Sequence, residues 1–185
     1  VTRSHGYWHS KDLLNWDFIT PGKNWYPQGS NAPAAHNYKD SVLYVMGDPS
    51  GSMSVLYTDD PKSGNWNATP AILHDLQDPD LFIDDDGRVY GYWGFQQSFG
   101  AELDPVTMAT VKEGTEIVTD LIPNLGQDDT FRFFEASSIR KIKDKYVFIY
   151  SRQTRNGEFG LGSSHYTLAY AYSDSPLGPF TYGGT

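Results

Sequence analysis

Two acidic residues sit where the sequence could supply an acid and a neighbour that tunes it. Glu135 lies in the apolar stretch Phe131-Arg132-Phe133-Phe134-Glu135-Ala136-Ser137-Ser138-Ile139. Burying a carboxylate among apolar side chains is costly without a partner. Burial and a second negative charge each raise its pKa. A carboxyl still protonated near neutral pH can act as a general acid. Asp78, which opens Asp78-Pro79-Asp80, is the candidate neighbour. Plainer readings exist for both: Glu135 as an edge residue paired with Arg132 or Arg140, and Asp-Pro as a turn starter.

A repeat is what brings the two acids together. Three segments align without gaps: Ala32 to Tyr44, Asp78 to Tyr90 and Glu135 to Val147, each with an offset of 12 residues. Each reads as a short strand, a charged turn and an aromatic-rich strand. Their starts lie 46 and 57 residues apart. A second motif recurs at His9 to Trp16, Tyr57 to Trp66 and Tyr172 to Phe180. Periods of roughly 40–60 residues with about four strands each point to β-propeller blades. A β-sandwich with chance similarity is the alternative. The blades are expected at 31–68, 76–120 and 133–182, with residues 1–20 ending an earlier one. Propellers close with about four to eight blades, so the chain is expected to be part of a larger domain or to be completed by another chain.

In a propeller, equivalent positions on the innermost strands share one height around the channel. Asp78 and Glu135 should then face one funnel, provided the register has not slipped by a residue. Asp80 is expected on the opposite face, away from the channel. Asp84-Asp85-Asp86-Gly87 reads as a hairpin turn, because the downstream ligands of a calcium loop are missing.

Composition agrees with an all-β chain. Of 185 residues, 28 are aromatic, which favours strands, and 29 are Gly or Pro, which punctuate turns. The net charge of −9 and the lack of a basic stripe argue against a nucleic-acid partner. No apolar run approaches the roughly 20 residues that span a bilayer. With no Cys, disulfides and thiolate metal sites are excluded. His5, His9, His36, His74 and His165 show no metal-ligand spacing, and neither a metal nor a cofactor is expected. Trp8, Trp93, Phe95 and Tyr150 are candidate sugar-stacking residues, with inter-blade core as the competing reading. Asn67-Ala68-Thr69 matches a glycosylation sequon.

Three stretches resemble the five-bladed propeller enzymes of glycoside hydrolase family 43. They are Gln77 to Gly87, Phe134 to Ile139 continuing to Ser151, and Ser173 to Phe180. The segment Tyr7 to Trp16 is similar to that family's first-blade ending. The resemblance implies β-xylosidase, α-arabinofuranosidase, arabinanase or galactanase activity by inverting hydrolysis. It implies Glu135 as general acid and Asp78 as the residue that orients it and tunes its pKa. It also implies a base Asp with no counterpart here, expected before Val1. A fifth blade is expected beyond Thr185, and a structural Ca2+ in the channel has no support in these residues. Asn31-Ala32-Pro33 and Ala136-Ser137 depart from the family pattern and leave substrate preference open.

The expected partner is an oligosaccharide or polysaccharide containing arabinose or xylose, and the expected location is secreted or periplasmic. The isolated chain is expected to be inactive. The alternative function is a non-catalytic carbohydrate-binding or interaction propeller. A fructan-type enzyme fits less well, because Ala136 replaces the Cys that usually follows the acid. A sialidase-type propeller is disfavoured because Ser10 to Trp16 departs from the Asp-box pattern.

Overall fold

The computed structural model describes residues 6–22, 25, 31–38, 42–48, 53–73, 77–124, 130–163 and 165–185. His5 and His74 fall outside them. The chain is all-β. Strands β1 (Tyr7–His9) and β2 (Asp17–Ile19) form a hairpin. Three four-stranded antiparallel sheets follow, each built in chain order. The first has β3 (Asn31–Tyr38), β4 (Val42–Asp48), β5 (Met53–Thr58) and β6 (Asn67–Leu73). The second has β7 (Asp80–Ile83), β8 (Val89–Trp93), β9 (Phe99–Leu103) and β10 (Val118–Thr119). The third has β11 (Phe133–Ile142), β12 (Lys145–Gln153), β13 (Tyr166–Ser173) and β14 (Thr181–Gly184).

The second sheet is sandwiched between the other two, and strand periodicity shows how. Side chains alternate between the faces of a strand. Along β8, Val89 and Trp93 join Met46 and Val55 in one core, on the side of the first sheet. Tyr90 and Tyr92 join Ile139, Phe148 and Tyr150 in another, on the side of the third. A strand buried on both faces reads as a continuous apolar run, and β8 is buried throughout.

The turn at Asp84–Arg88 closes the β7–β8 hairpin as expected. Gly87 donates its N–H to Asp84 O at 2.9 Å with φ of 82°, a backbone conformation that glycine adopts freely. Asp86 holds Arg88 Nε at 2.7 Å. Asp84 has a role beyond the turn. Its side chain is buried and accepts from Lys141 Nζ at 2.8 Å and from the Tyr146 hydroxyl, tying the second sheet to the third. Burial pushes this carboxyl up, but the bonds from Lys141 and Tyr146 hold it below the usual range.

Candidate active site

The first strands of the three sheets, β3, β7 and β11, line a common cavity of ≈ 340 Å³. Ala32, His36, Asp78, Asp80, Ser137 and Arg140 contribute to its wall. Asp78, in that wall, meets Glu135. Glu135 is partly buried, and its carboxyl lies above the usual range. Burial is the largest cause, the Asp78 charge comes next, and a side-chain hydrogen bond to Asp78 adds to both. A bond that raises the pKa of Glu135 is one in which the Glu135 O–H donates to the Asp78 carboxylate.

The two acids meet by a different register from the one the repeat implies. His36 pairs with Tyr44 and Phe82 with Tyr90, eight residues apart in each case. Val147 pairs with Arg140, seven residues back. The turn from Ile142 to Lys145 holds two residues, against three between Tyr38 and Val42. The position equivalent to Ala32 and Asp78 is therefore Ala136. The backbone agrees, with φ of 39° at Ala32, 45° at Asp78 and 61° at Ala136. Glu135 stands one residue earlier. Register shifts on both sides of it, between Phe133 and Glu135 and between Glu135 and Ser138, make β11 irregular. A bulge re-aims side chains, and here Glu135 comes to face Asp78.

Asp80 corrects a second expectation. It lies in the cavity wall together with Asp78, which precedes β7 with φ of 45° and so does not follow the strand alternation. It is 4% exposed. Oδ1 accepts from Leu81 N–H at 3.0 Å and meets His36 Nε2 at 3.2 Å. Oδ2 accepts from Ile139 N–H at 2.8 Å and Arg140 Nη1 at 3.1 Å. Arg140, a candidate partner of Glu135, thus pairs with Asp80. Arg132 donates to the carbonyls of Gln153 and Thr154 at 2.8 and 3.2 Å. His36, Asp80 and Arg140 are site residues that the repeat alone did not reveal.

The four stacking candidates separate by burial. Trp93 is 5% exposed and stacks on Phe99 in the core at 5.8 Å. Tyr150 is fully buried, packs on Phe133 and Phe148, and donates its hydroxyl to Phe131 O at 2.9 Å. Neither ring is open to a sugar; both are inter-sheet core. Phe95 is 46% exposed and packs edge-on against Phe134, the neighbour of Glu135, at 4.9 Å. Trp8 is 59% exposed and pairs with Phe18 on the β1–β2 hairpin, outside the cavity wall. Among the described residues, no group of three or more acidic or His side chains is placed to hold a metal ion.

The family model for glycosyl hydrolases family 43 matches residues 3–183. The chain belongs to that family. An arabinoxylan arabinofuranohydrolase of Bacillus subtilis (strain 168) is 28% identical over 187 residues, covering 88% of the family 43 chain and 34% of that relative. A β-xylosidase of Xylanibacter ruminicola is 33% identical over 136 residues, covering 58% of the chain and 40% of that relative. The family 43 chain thus spans between a third and two-fifths of the length of these relatives. Its fold is similar to an α-L-arabinofuranosidase structure from Clostridium thermocellum ATCC 27405, with a TM-score of 0.67 and 23% identity. That match covers 97% of this chain and 60% of the other. A Cellvibrio cellulosa α-L-arabinanase structure matches with a TM-score of 0.62 and 19% identity, covering 95% of this chain and 65% of the other.

Proposed function

We propose that the protein containing this chain is an inverting glycoside hydrolase acting on arabinose- or xylose-containing plant polysaccharide or oligosaccharide. Glu135 is its general acid, and Asp78 orients that acid and raises its pKa. The observation that carries the reading is the partly buried Glu135 carboxyl, held above its usual range by burial and by Asp78. The substrate class rests on the names of the relatives, which are xylosidases and arabinoxylan arabinofuranohydrolases.

Glu135 gives its proton to the glycosidic oxygen as the bond to the anomeric carbon breaks. Water attacks that carbon from the opposite face and loses its proton to a base. The acid and base of an inverting pair stand ~6.5–9.5 Å apart, and those of a retaining pair ~5–5.5 Å. Asp78 is within hydrogen-bond reach of Glu135, closer than either spacing. It therefore suits tuning rather than the role of base or nucleophile. The base is assigned to a residue outside this chain, in the first blade of a five-bladed propeller. A polymeric substrate accords with a secreted or periplasmic enzyme.

The test uses the complete protein. Glu135→Ala should nearly abolish hydrolysis of substrates with poor leaving groups, and the wild-type product should emerge with inverted anomeric configuration by NMR. Unchanged turnover of such substrates by the Ala variant would overturn the assignment. Oligosaccharide binding without turnover by the wild type would favour the binding-module reading.

A further inference from the structure

We propose that Asp80 is a positioning residue that helps to fix where Glu135 stands against Asp78. The inference rests on Glu135 as the general acid. β11 is the edge strand of the third sheet, and an edge presents unpaired backbone groups. Asp80 Oδ2 takes one of them, the Ile139 N–H, at 2.8 Å. It also takes Arg140 Nη1 at 3.1 Å, while Oδ1 meets His36 Nε2 of β3 at 3.2 Å. One buried carboxylate thus ties β7 to β11 on one side and to β3 on the other.

The placement of these bonds gives them a consequence for the acid. Asp80 opens β7, two residues after Asp78. Ile139 is four residues from Glu135 on β11, with a register shift between them. Phe133 and Glu135 pair with Arg152 and Ser151, but the pairing shifts on both sides of Glu135. Contacts to the second sheet therefore hold Glu135 from both directions: Gln96 N–H donates to Phe134 O at 2.6 Å before it, and Asp80 holds Ile139 N–H and Arg140 beyond the register shift. A brace needed only for folding would sit as well anywhere along the interface. Lys141 and Tyr146 already supply such a brace at the far end of β7, through Asp84. Asp80 shares the cavity wall with Asp78, the partner of the acid, where a small displacement alters proton transfer.

The experiment compares two substrates on the complete protein. One is an aryl glycoside whose nitrophenol leaves without protonation; the other is an oligosaccharide, which needs the acid. In Asp80→Ala, kcat on the oligosaccharide should fall about 10- to 100-fold, the scale of misplaced catalytic groups. Turnover of the aryl glycoside should fall far less than that of the oligosaccharide, and the loss should lie in kcat more than in KM. Asp80→Asn keeps an acceptor for Ile139 N–H and should recover part of the loss. If Asp80→Ala fails to fold by circular dichroism, Asp80→Asn and Arg140→Gln must show the same split in weaker form. Equal losses on both substrates, or none, in folded variants overturn the proposal. Glu135→Ala serves as the reference. If it shows the split and the Asp80 variants do not, only the positioning role falls. If it shows none, the acid assignment and this inference fall together.

Discussion

The Glu135 carboxyl donates a hydrogen bond to the Asp78 carboxylate across the gap between two sheets, and burial together with the Asp78 charge holds it protonated above the usual range. A general acid works only with its proton on, so activity falls as pH rises through its pKa. The Glu135 carboxyl therefore sets the alkaline limb of the pH–rate profile. Asp80, His36 and Arg140 share the cavity wall and are unchanged in sequence in Asp78→Asn. That variant removes one negative charge beside Glu135. Its alkaline limb should move to lower pH, read from kcat/KM across the pH range. An unmoved limb would sink the tuning role of Asp78.

The 185-residue chain by itself should show no turnover of aryl arabinofuranosides, xylosides or arabinoxylan. The proposed function assigns the general base to a residue outside the chain, and Asp78, in contact with the acid, does not fill that role. Measurable hydrolysis by the purified chain would show that a base lies within it.

Acid should loosen the segment after β12. Glu158 accepts from Arg152 Nη1 at 3.1 and 3.0 Å and from Arg155 N–H at 2.8 Å. The Arg152 bonds, acting against partial burial, hold its carboxyl below the usual range. A depressed folded pKa contributes stability that is present above the ordinary Glu value of about 4.3 and is lost as pH falls below it. Glu158→Gln should lower Tm most at neutral pH and converge on wild type in acid, so that its fall in Tm on the acid side is flatter. A parallel Tm profile would count against the Arg152–Glu158 pair.

Tyr146→Phe removes one donor from the buried Asp84 carboxylate while Lys141 stays. Hydrogen bonds to charged groups contribute about 1.5–3 kcal/mol, so a loss near 2 kcal/mol is expected. Urea unfolding measures it, and a midpoint equal to wild type would contradict the role given to this contact.

Trp93 and Phe95 should respond in opposite ways. Trp93 is buried among Met46, Leu81 and Leu103, and truncating such a core aromatic to Ala costs about 3–5 kcal/mol. Phe95 is half exposed beside Phe134. In the complete protein, Phe95→Ala should raise KM for oligosaccharides and shift stability by under about 1 kcal/mol. Thermal melts and oligosaccharide kinetics on the two variants separate the readings.

The sequence by itself determined the strand-rich architecture, the Asp84–Gly87 turn and the two acids to watch. These depend on local features: the two-residue alternation along a strand, the freedom of Gly87, and the cost of a carboxylate in the apolar run before Ile139. Tertiary structure decided the rest. A turn one residue shorter between Ile142 and Lys145 shifted the third sheet's pairing, so Ala136 took the position that the repeat gave to Glu135. Irregular pairing around Glu135 still brought it to Asp78, which no count of residues along the chain contains. Packing also chose which aromatics are core. Trp93 and Tyr150 look no different from Phe95 in a sequence, and only the sheets closing over them make them so. Asp80 shows the same limit: the bonds that hold it come from β3 and β11, 44 and about 60 residues away along the chain. Contacts of that range exist only once the sheets have docked.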